Sequence, residues 1–288
     1  MKGVTAVLNY YGSNRMCAPQ AARLLSGVSH ILCPFAGGLC ELAHFDARTM
    51  LVSDLNRHAI NFANVLRHPA LGSMLIRDLR RLPFHEDQLR HSQEACVRIE
   101  TDGFKYDPEI AGWEVDYTAA LNYFICSWMA RAGQTGTKGE FRGGLSVRWD
   151  AQGGDSVKRF RSATEALRDW RKVFERCTFL VRDAFEMLAD AKDVKLNGVF
   201  CDPPFPSAGQ CYKHNAGTGD AERAWHTRLR DALERFEKAR VVCRFYDHDL
   251  VRELYSRERW QWVEVSGGKR QTNDAAPEVL LVRNGEAK

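Results

Sequence analysis

The sequence predicts an α/β protein, a doubly wound and mostly parallel sheet with a largely helical region inserted into it. Three observations carry that expectation. Short apolar runs that end in a turn or an acid recur at Val28–Cys33, Met50–Asp54, Phe179–Asp183 and Asn197–Asp202, the pattern of buried parallel strands delivering their loops to one edge of a sheet. The first run opens into the pair Gly37-Gly38, a turn at the first crossover. Between the second and third runs, residues 57–159 switch to helical spacing with clustered arginines. A chain of 288 residues, 44% of them hydrophobic, is long enough to bury one large core plus a smaller inserted one.

Taken in order, Val28–Cys33 reads as a strand, Cys33-Pro34-Phe35-Ala36-Gly37-Gly38 as its turn, and the residues through Phe45 as a helix. Gly37 and Gly38 let backbone pass close to a ligand, although a plain tight turn would use the same residues. Met50-Leu51-Val52-Ser53-Asp54 is a second strand ending in an acid; Asp54 there could accept from ribose hydroxyls, or cap the helix predicted over Arg57–Leu66, or do both. Residues 57 to about 110 read as basic amphipathic helices broken at Pro69 and Pro83, with Arg77, Arg80, Arg81 and Arg90 on their solvated faces. Tyr123–Arg131 is an apolar helix entering a loop rich in glycine, hydroxyls and cations that runs from Ala132 to Gly144. Such a loop can hug phosphates through its amides while Arg131, Lys138 and Arg142 neutralise charge and Gln134 or Thr137 reach base edges; an ordinary surface loop is the alternative. Residues 151–155 form a linker-like turn, Ser162–Glu175 a helix, Phe179–Arg182 a strand, Ala221–Lys238 a charged helix, and Arg240–Tyr246 and Glu278–Val282 the closing strands. The polar stretch from Ser207 to Asp220 is read as a surface loop able to close over a site, His214 included, and Lys269–Thr272 as a further cationic loop.

The strand over Asn197–Cys201 opens directly into Asp202-Pro203-Pro204-Phe205. Prolines fix their own φ and push the preceding residues toward extended backbone, so the Asp202 carboxylate and the Pro203 carbonyl are placed before any substrate arrives. Two fixed acceptors suit an exocyclic amino group on a base, whose lone pair is delocalised into the ring. Accepting both hydrogens favours a tetrahedral nitrogen, and Phe205 offers a flat surface for a base taken out of its stack. A rigid turn with no chemistry is the simpler reading of the tripeptide alone.

In company, these motifs resemble the Dam-like, alpha-class DNA adenine methyltransferases, especially their phage and prophage members. Tyr10-Tyr11-Gly12-Ser13-Asn14-Arg15 is similar to the family's N-terminal cofactor segment, with Tyr11 at the aromatic and Arg15 at the lysine position. Phe35-Ala36-Gly37-Gly38 is similar to the glycine motif, Asp54-Leu55 to the ribose acid and its neighbour, Asp183-Ala184-Phe185 to the segment bordering the cofactor adenine, and Glu278-Val279-Leu280-Leu281 to a closing strand. The resemblance implies a Rossmann-like methyltransferase fold with a seven-stranded sheet, in which 1–56 and 160–288 form the catalytic domain and 57–159 the DNA-recognition region. It also implies S-adenosylmethionine as cofactor, without a metal, and transfer of a methyl group to a flipped-out adenine in duplex DNA. Catalysis would rest on Asp202, Pro203, Pro204 and Phe205, and cofactor binding on Asp202 besides the residues just given. Arg131, Lys138, Gly139 and Phe141 match the family's DNA-contacting passage, but Arg142–Trp149 replaces its usual continuation. Cytosine as the acceptor, RNA as the polymer, and a non-catalytic DNA-binding relative stand as alternatives.

Composition adds bounds. The net charge of +4 does not by itself announce a nucleic-acid binder. Nine cysteines, an odd number without any Cys-x-x-Cys, predict reduced and mostly buried thiols rather than disulfides or zinc. Without a long apolar run or secretory start, the expectation is a cytoplasmic protein, with a monomer favoured.

Overall fold

The computed structural model describes residues 6–13, 16–106, 114–131, 134–147, 155–265 and 277–284. Packing divides the chain into a helical unit, Met1–Ser13, Gly37–Ala43 and Asn56–Phe179, and a sheet unit, Asn14–Ala36, His44–Leu55 and Leu180–Lys288. In chain order the elements are α1 (Ala18–Leu24), β1 (His30–Cys33), β2 (Thr49–Ser53), α2 (Arg57–Arg67), α3 (Pro69–Arg81), α4 (Glu86–Asp102), α5 (Tyr117–Met129), α6 (Ser156–Phe174), β3 (Cys177–Leu180), α7 (Ala184–Asp190), β4 (Asn197–Cys201), α8 (Asp220–Glu234), β5 (Arg240–Tyr246), α9 (Asp249–Leu254), β6 (Gln261–Glu264) and β7 (Glu278–Arg283).

The seven strands lie in the order β3-β2-β1-β4-β5-β7-β6. Strand β1 pairs in parallel with both β2 and β4, and β4 with β5, whereas β7 runs antiparallel between β5 and β6. The central strands are apolar because both faces are covered: β1, β4 and β5 are buried along most of their length, whereas β6, at the sheet's edge, is partly exposed. Leu229, Leu233 and Phe236 along and just after α8, with Leu250 and Val251 of α9, close one core with Val199, Val241 and Leu281 of the sheet.

The helical unit has its own aromatic core, with Phe62 stacked on Phe124 and Phe124 against Phe160. Its helices start where side chains satisfy free amides: Asn56 accepts from His58 and Ala59, Asp116 from Ala119, and Asp155 from Val157 and Lys158. The cap at Asp155 explains why α6 begins at Ser156, earlier than the helical spacing from Ser162 suggested. Asn56 likewise takes the cap of α2, one of the two roles expected of Asp54.

One expected helix is absent. After the glycine turn the chain makes only a 3-10 turn at Cys40–Ala43, because Gly37 and Leu39 both have positive φ (46° and 61°) and too few residues follow before β2 for a helix to propagate. The expected linker turn falls largely, and the cationic loop at Lys269–Thr272 wholly, outside the described residues.

Candidate active site

The parallel register of β1, β2 and β4 aligns their carboxyl ends, with His30 opposite both Thr49 and Asn197. Brought to that edge within the sheet unit are Phe35 and Ala36, Asp54 and Leu55, Asp183 to Phe185, and Asp202. The Ala36 amide donates to the Ser53 carbonyl at 3.0 Å, and the Asp54 amide donates to Leu180 at 3.4 Å. Ser53, fully buried, ties these turns together: its hydroxyl accepts from the Arg182 amide at 3.2 Å and lies 2.8 Å from the Arg182 carbonyl and 3.1 Å from that of Leu180. Asp54 and the turn carrying Asp183 are therefore held beside each other by one hydroxyl. The Asp183 carboxylate caps α7 by accepting from the Phe185 amide at 2.9 Å.

Phe35 and Phe185 meet through a residue that the sequence did not single out. Trp225 of α8 lies 5.9 Å from the Phe35 ring and 5.4 Å from the Phe185 ring, and the Arg228 guanidinium sits 3.9 Å above Phe185. Leu55, 42% exposed, stands at the open side of this edge.

At the end of β4, Cys201 pairs with Cys243 of β5, so Asp202 emerges next to Arg244. The Arg244 guanidinium is buried, with its side chain 5% exposed, and donates from one nitrogen to both Asp202 oxygens at 3.1 and 3.2 Å. Its remaining nitrogens donate to Glu278 at the start of β7, at 2.8 and 3.3 Å. Burial pulls the Arg244 pKa down, but the Asp202 and Glu278 carboxylates more than reverse this, and the group is held charged. The same guanidinium lies 5.1 Å from the centre of the Phe205 ring. That ring is buried against Tyr246 at 4.7 Å and Phe245 at 5.9 Å, so the surface expected to receive a base is covered by the protein's own side chains. Pro203 is buried as well. Gly209 donates its amide to the Phe205 carbonyl at 2.8 Å, and a Cβ on it would come within 2.8 Å of the Pro204 ring, so only glycine closes the loop this tightly. Buried Glu222 anchors the same loop by accepting from the Ser207 amide at 2.9 Å. The sequence carried a signal for Arg244, a charged residue in the otherwise apolar run Val241–Phe245; Gly209 and Glu222 had none.

In the helical unit, the loop after α5 is closed at its neck. Arg131 donates to Gly144 at 3.0 Å, Ser146 to Met129 at 2.8 Å, and Gln93 of α4 to Gly143 at 2.6 Å. Glu140 is buried and accepts from the Gly136 amide at 2.8 Å, while buried Phe141 packs on His58 and Tyr123. Arg131, Lys138 and Arg142 are exposed and Gln134 is half-buried. The Thr137 hydroxyl is spent inside the turn, donating to the Gln134 carbonyl at 2.7 Å and accepting from the Gly139 amide at 3.2 Å. The N-terminal segment joins this loop: the Tyr11 amide donates to Thr135 at 3.1 Å, the Tyr10 Cβ fills the space where a Cβ on Gly38 would go, and the Tyr10 ring fills that at Gly136. Tyr11 itself is 37% exposed, Gly12 turns with φ 67°, and Arg15 lies outside the described residues.

No helix among the described residues is long and apolar enough to cross a membrane. All nine cysteines are free thiols, eight of them buried. Comparison with curated proteins finds no match. The family model of the D12 class N6 adenine-specific DNA methyltransferases matches residues 10–267, a span that takes in the glycine turn, the Asp202 loop and the loop after α5 alike. The chain thus belongs to the D12 class N6 adenine-specific DNA methyltransferases, enzymes that methylate adenine in DNA.

Proposed function

We propose that the carboxyl edge of the sheet is the catalytic centre, where the Asp202 carboxylate and the Pro203 carbonyl accept the two hydrogens of the adenine amino group. The observation that carries this reading is the Asp202–Arg244–Glu278 network, built around a buried guanidinium. A carboxylate fixed by a charged guanidinium needs no reorganisation when the amino group arrives. Pro204 and Gly209 hold the loop from behind, and Phe205 supports Arg244 and Tyr246 from within the core.

Members of this family generally use S-adenosylmethionine. The residues at the sheet edge fit its adenosine: Asp54 and Asp183 supply acceptors for hydroxyl and amino groups, and Phe35, Ala36, Ala184 and Phe185 supply apolar walls, braced by Trp225. In this reading Leu55 covers the open side, and Tyr11, Gly12, Arg15, Gly37 and Gly38 complete the cofactor contacts. When bound, the cofactor supplies an electrophilic methyl group on its sulfonium. The chain's own residues orient the amino nitrogen, exclude water and keep the acceptor carboxylate charged. Arg131, Gln134, Thr137, Lys138 and Arg142 contact duplex DNA, with the exposed cations contributing most, and the enzyme acts as a cytoplasmic monomer.

Asp202→Ala tests the assignment. Incorporation of labelled methyl groups into DNA should fall by about 10³-fold or more, while duplex affinity stays within about twofold. Retained transfer to N6 of adenine, read by mass analysis of digested nucleosides, would remove Asp202 from the chemistry.

A further inference from the structure

Helices α3 and α6 of the helical unit frame a cleft of about 540 Å³. Among the described residues six cations line it, Arg77, Arg80 and Arg81 from α3 and Arg168, Arg171 and Lys172 from α6, against one acid, Glu175. Three of the six have an ion-pair partner outside the lining: Arg77 with Asp78, Arg80 with Glu165, and Lys172 with Asp169. Arg81 and Arg168 have no ion-pair partner among the described residues, and both are exposed. The Nε atoms of Arg80 and Arg171 are buried with no hydrogen-bond partner among those residues. The walls are nonetheless fixed. Arg171 is held by the Pro69 carbonyl at 3.1 Å and the Ser73 hydroxyl at 3.0 Å, and Arg161 bridges from α6 to the carbonyls of Arg80 and Leu82.

Fixed guanidinium groups with donors left over recognise phosphate oxygens. On α3 the cations run from residue 77 to 81 and on α6 from 168 to 172, each row about one helical turn, or roughly 6 Å, long. Two facing rows of that length suit successive charges along a chain better than a single small anion, which two or three of these groups would satisfy.

We propose that this cleft binds the phosphodiester backbone of the DNA substrate, as a second contact besides the loop at 131–142. The inference rests on the reading that the chain acts on DNA. Arg81→Gln with Arg168→Gln in the full chain removes the two cations that have no ion-pair partner, and Arg90→Gln with Arg98→Gln removes two exposed charges from α4 as a control; thermal midpoints check that all variants fold. The slope of log affinity against log[KCl], measured on a labelled 30-base-pair duplex of mixed sequence, should become shallower by about 1.8 in the first variant and stay unchanged in the control. An unchanged slope in the first variant, or an equal fall in the control, overturns the proposal. So does a loss confined to single-stranded RNA offered in parallel, or a wild type that binds no duplex. Methyl transfer to genomic DNA is measured alongside: a wild type that transfers no methyl group while its duplex slope still depends on Arg81 and Arg168 ends the catalytic reading and leaves the cleft standing.

Discussion

The loop at Asp202 and the loop at Gln134 use charge in opposite ways. In the first, one buried guanidinium holds two half-buried carboxylates at the end of the sheet, with Arg244 5% exposed and Asp202 15% exposed. In the second, buried Glu140 and Phe141 pin the backbone while Arg131, Lys138 and Arg142 face solvent. Buried charge acts through fixed geometry and is sensitive to shape; exposed charge is screened by the solvent and is sensitive to salt. A catalytic acceptor needs the first kind of environment, and a surface that must slide along a polyanion needs the second.

The largest effect should come from altering the buried side without removing its charge. Arg244→Lys keeps a cation but loses the fork that reaches Asp202 and Glu278 together, and kcat for methyl transfer should fall by about 10²-fold with little change in duplex affinity. Full turnover in that variant would show that the network only supports the fold. Next comes a titrating group in the same unit. His226 of α8 is buried against Trp225 and Phe245, neither ring nitrogen has a hydrogen-bond partner among the described residues, and burial, aided by nearby His248, pushes its pKa down to about 4. The unfolded chain, with an ordinary histidine, binds this proton more readily, so the stabilisation is complete above about pH 6.5 and fades as pH falls toward 4, a loss of about 2 kcal/mol at pH 5. His226→Leu should flatten the fall in unfolding free energy between pH 7 and 5 by that amount; an unaltered pH profile would mean that the ring already finds a partner in solution. The smallest effect is expected on the exposed side, where Arg131→Ala with Lys138→Ala should weaken duplex binding about tenfold at 0.15 M salt and flatten its salt dependence by a slope of about 1.8. If pH rather than salt governed that variant, the contrast between the two loops would fail.

The elements that were legible in the sequence are those whose physics is local. Strands β1, β2, β4 and β5 are visible as apolar runs because both of their faces are buried, and the Asp202 tetrapeptide because proline constrains backbone wherever it occurs. What could not be seen depends on partners distant in sequence. Arg244 is visible as an oddity in a strand, but its meaning requires knowing that Cys201 lies opposite Cys243. The helix expected after Gly38 failed in part because Leu39, like Gly37, turns to positive φ, and nothing in a leucine announces that. Phe205 looked like an open face because the sequence does not show Tyr246 and Phe245 closing over it.

Tyr10 carries a consequence of its own. Its Cβ occupies volume that glycine leaves vacant at 38 and its ring the volume left at 136, positions almost a hundred residues apart. The two glycines therefore answer to residue 10 differently: any residue there that carries a Cβ keeps 38 a glycine, whereas trimming the ring opens the space at 136 but leaves a backbone, φ 83°, that still favours glycine.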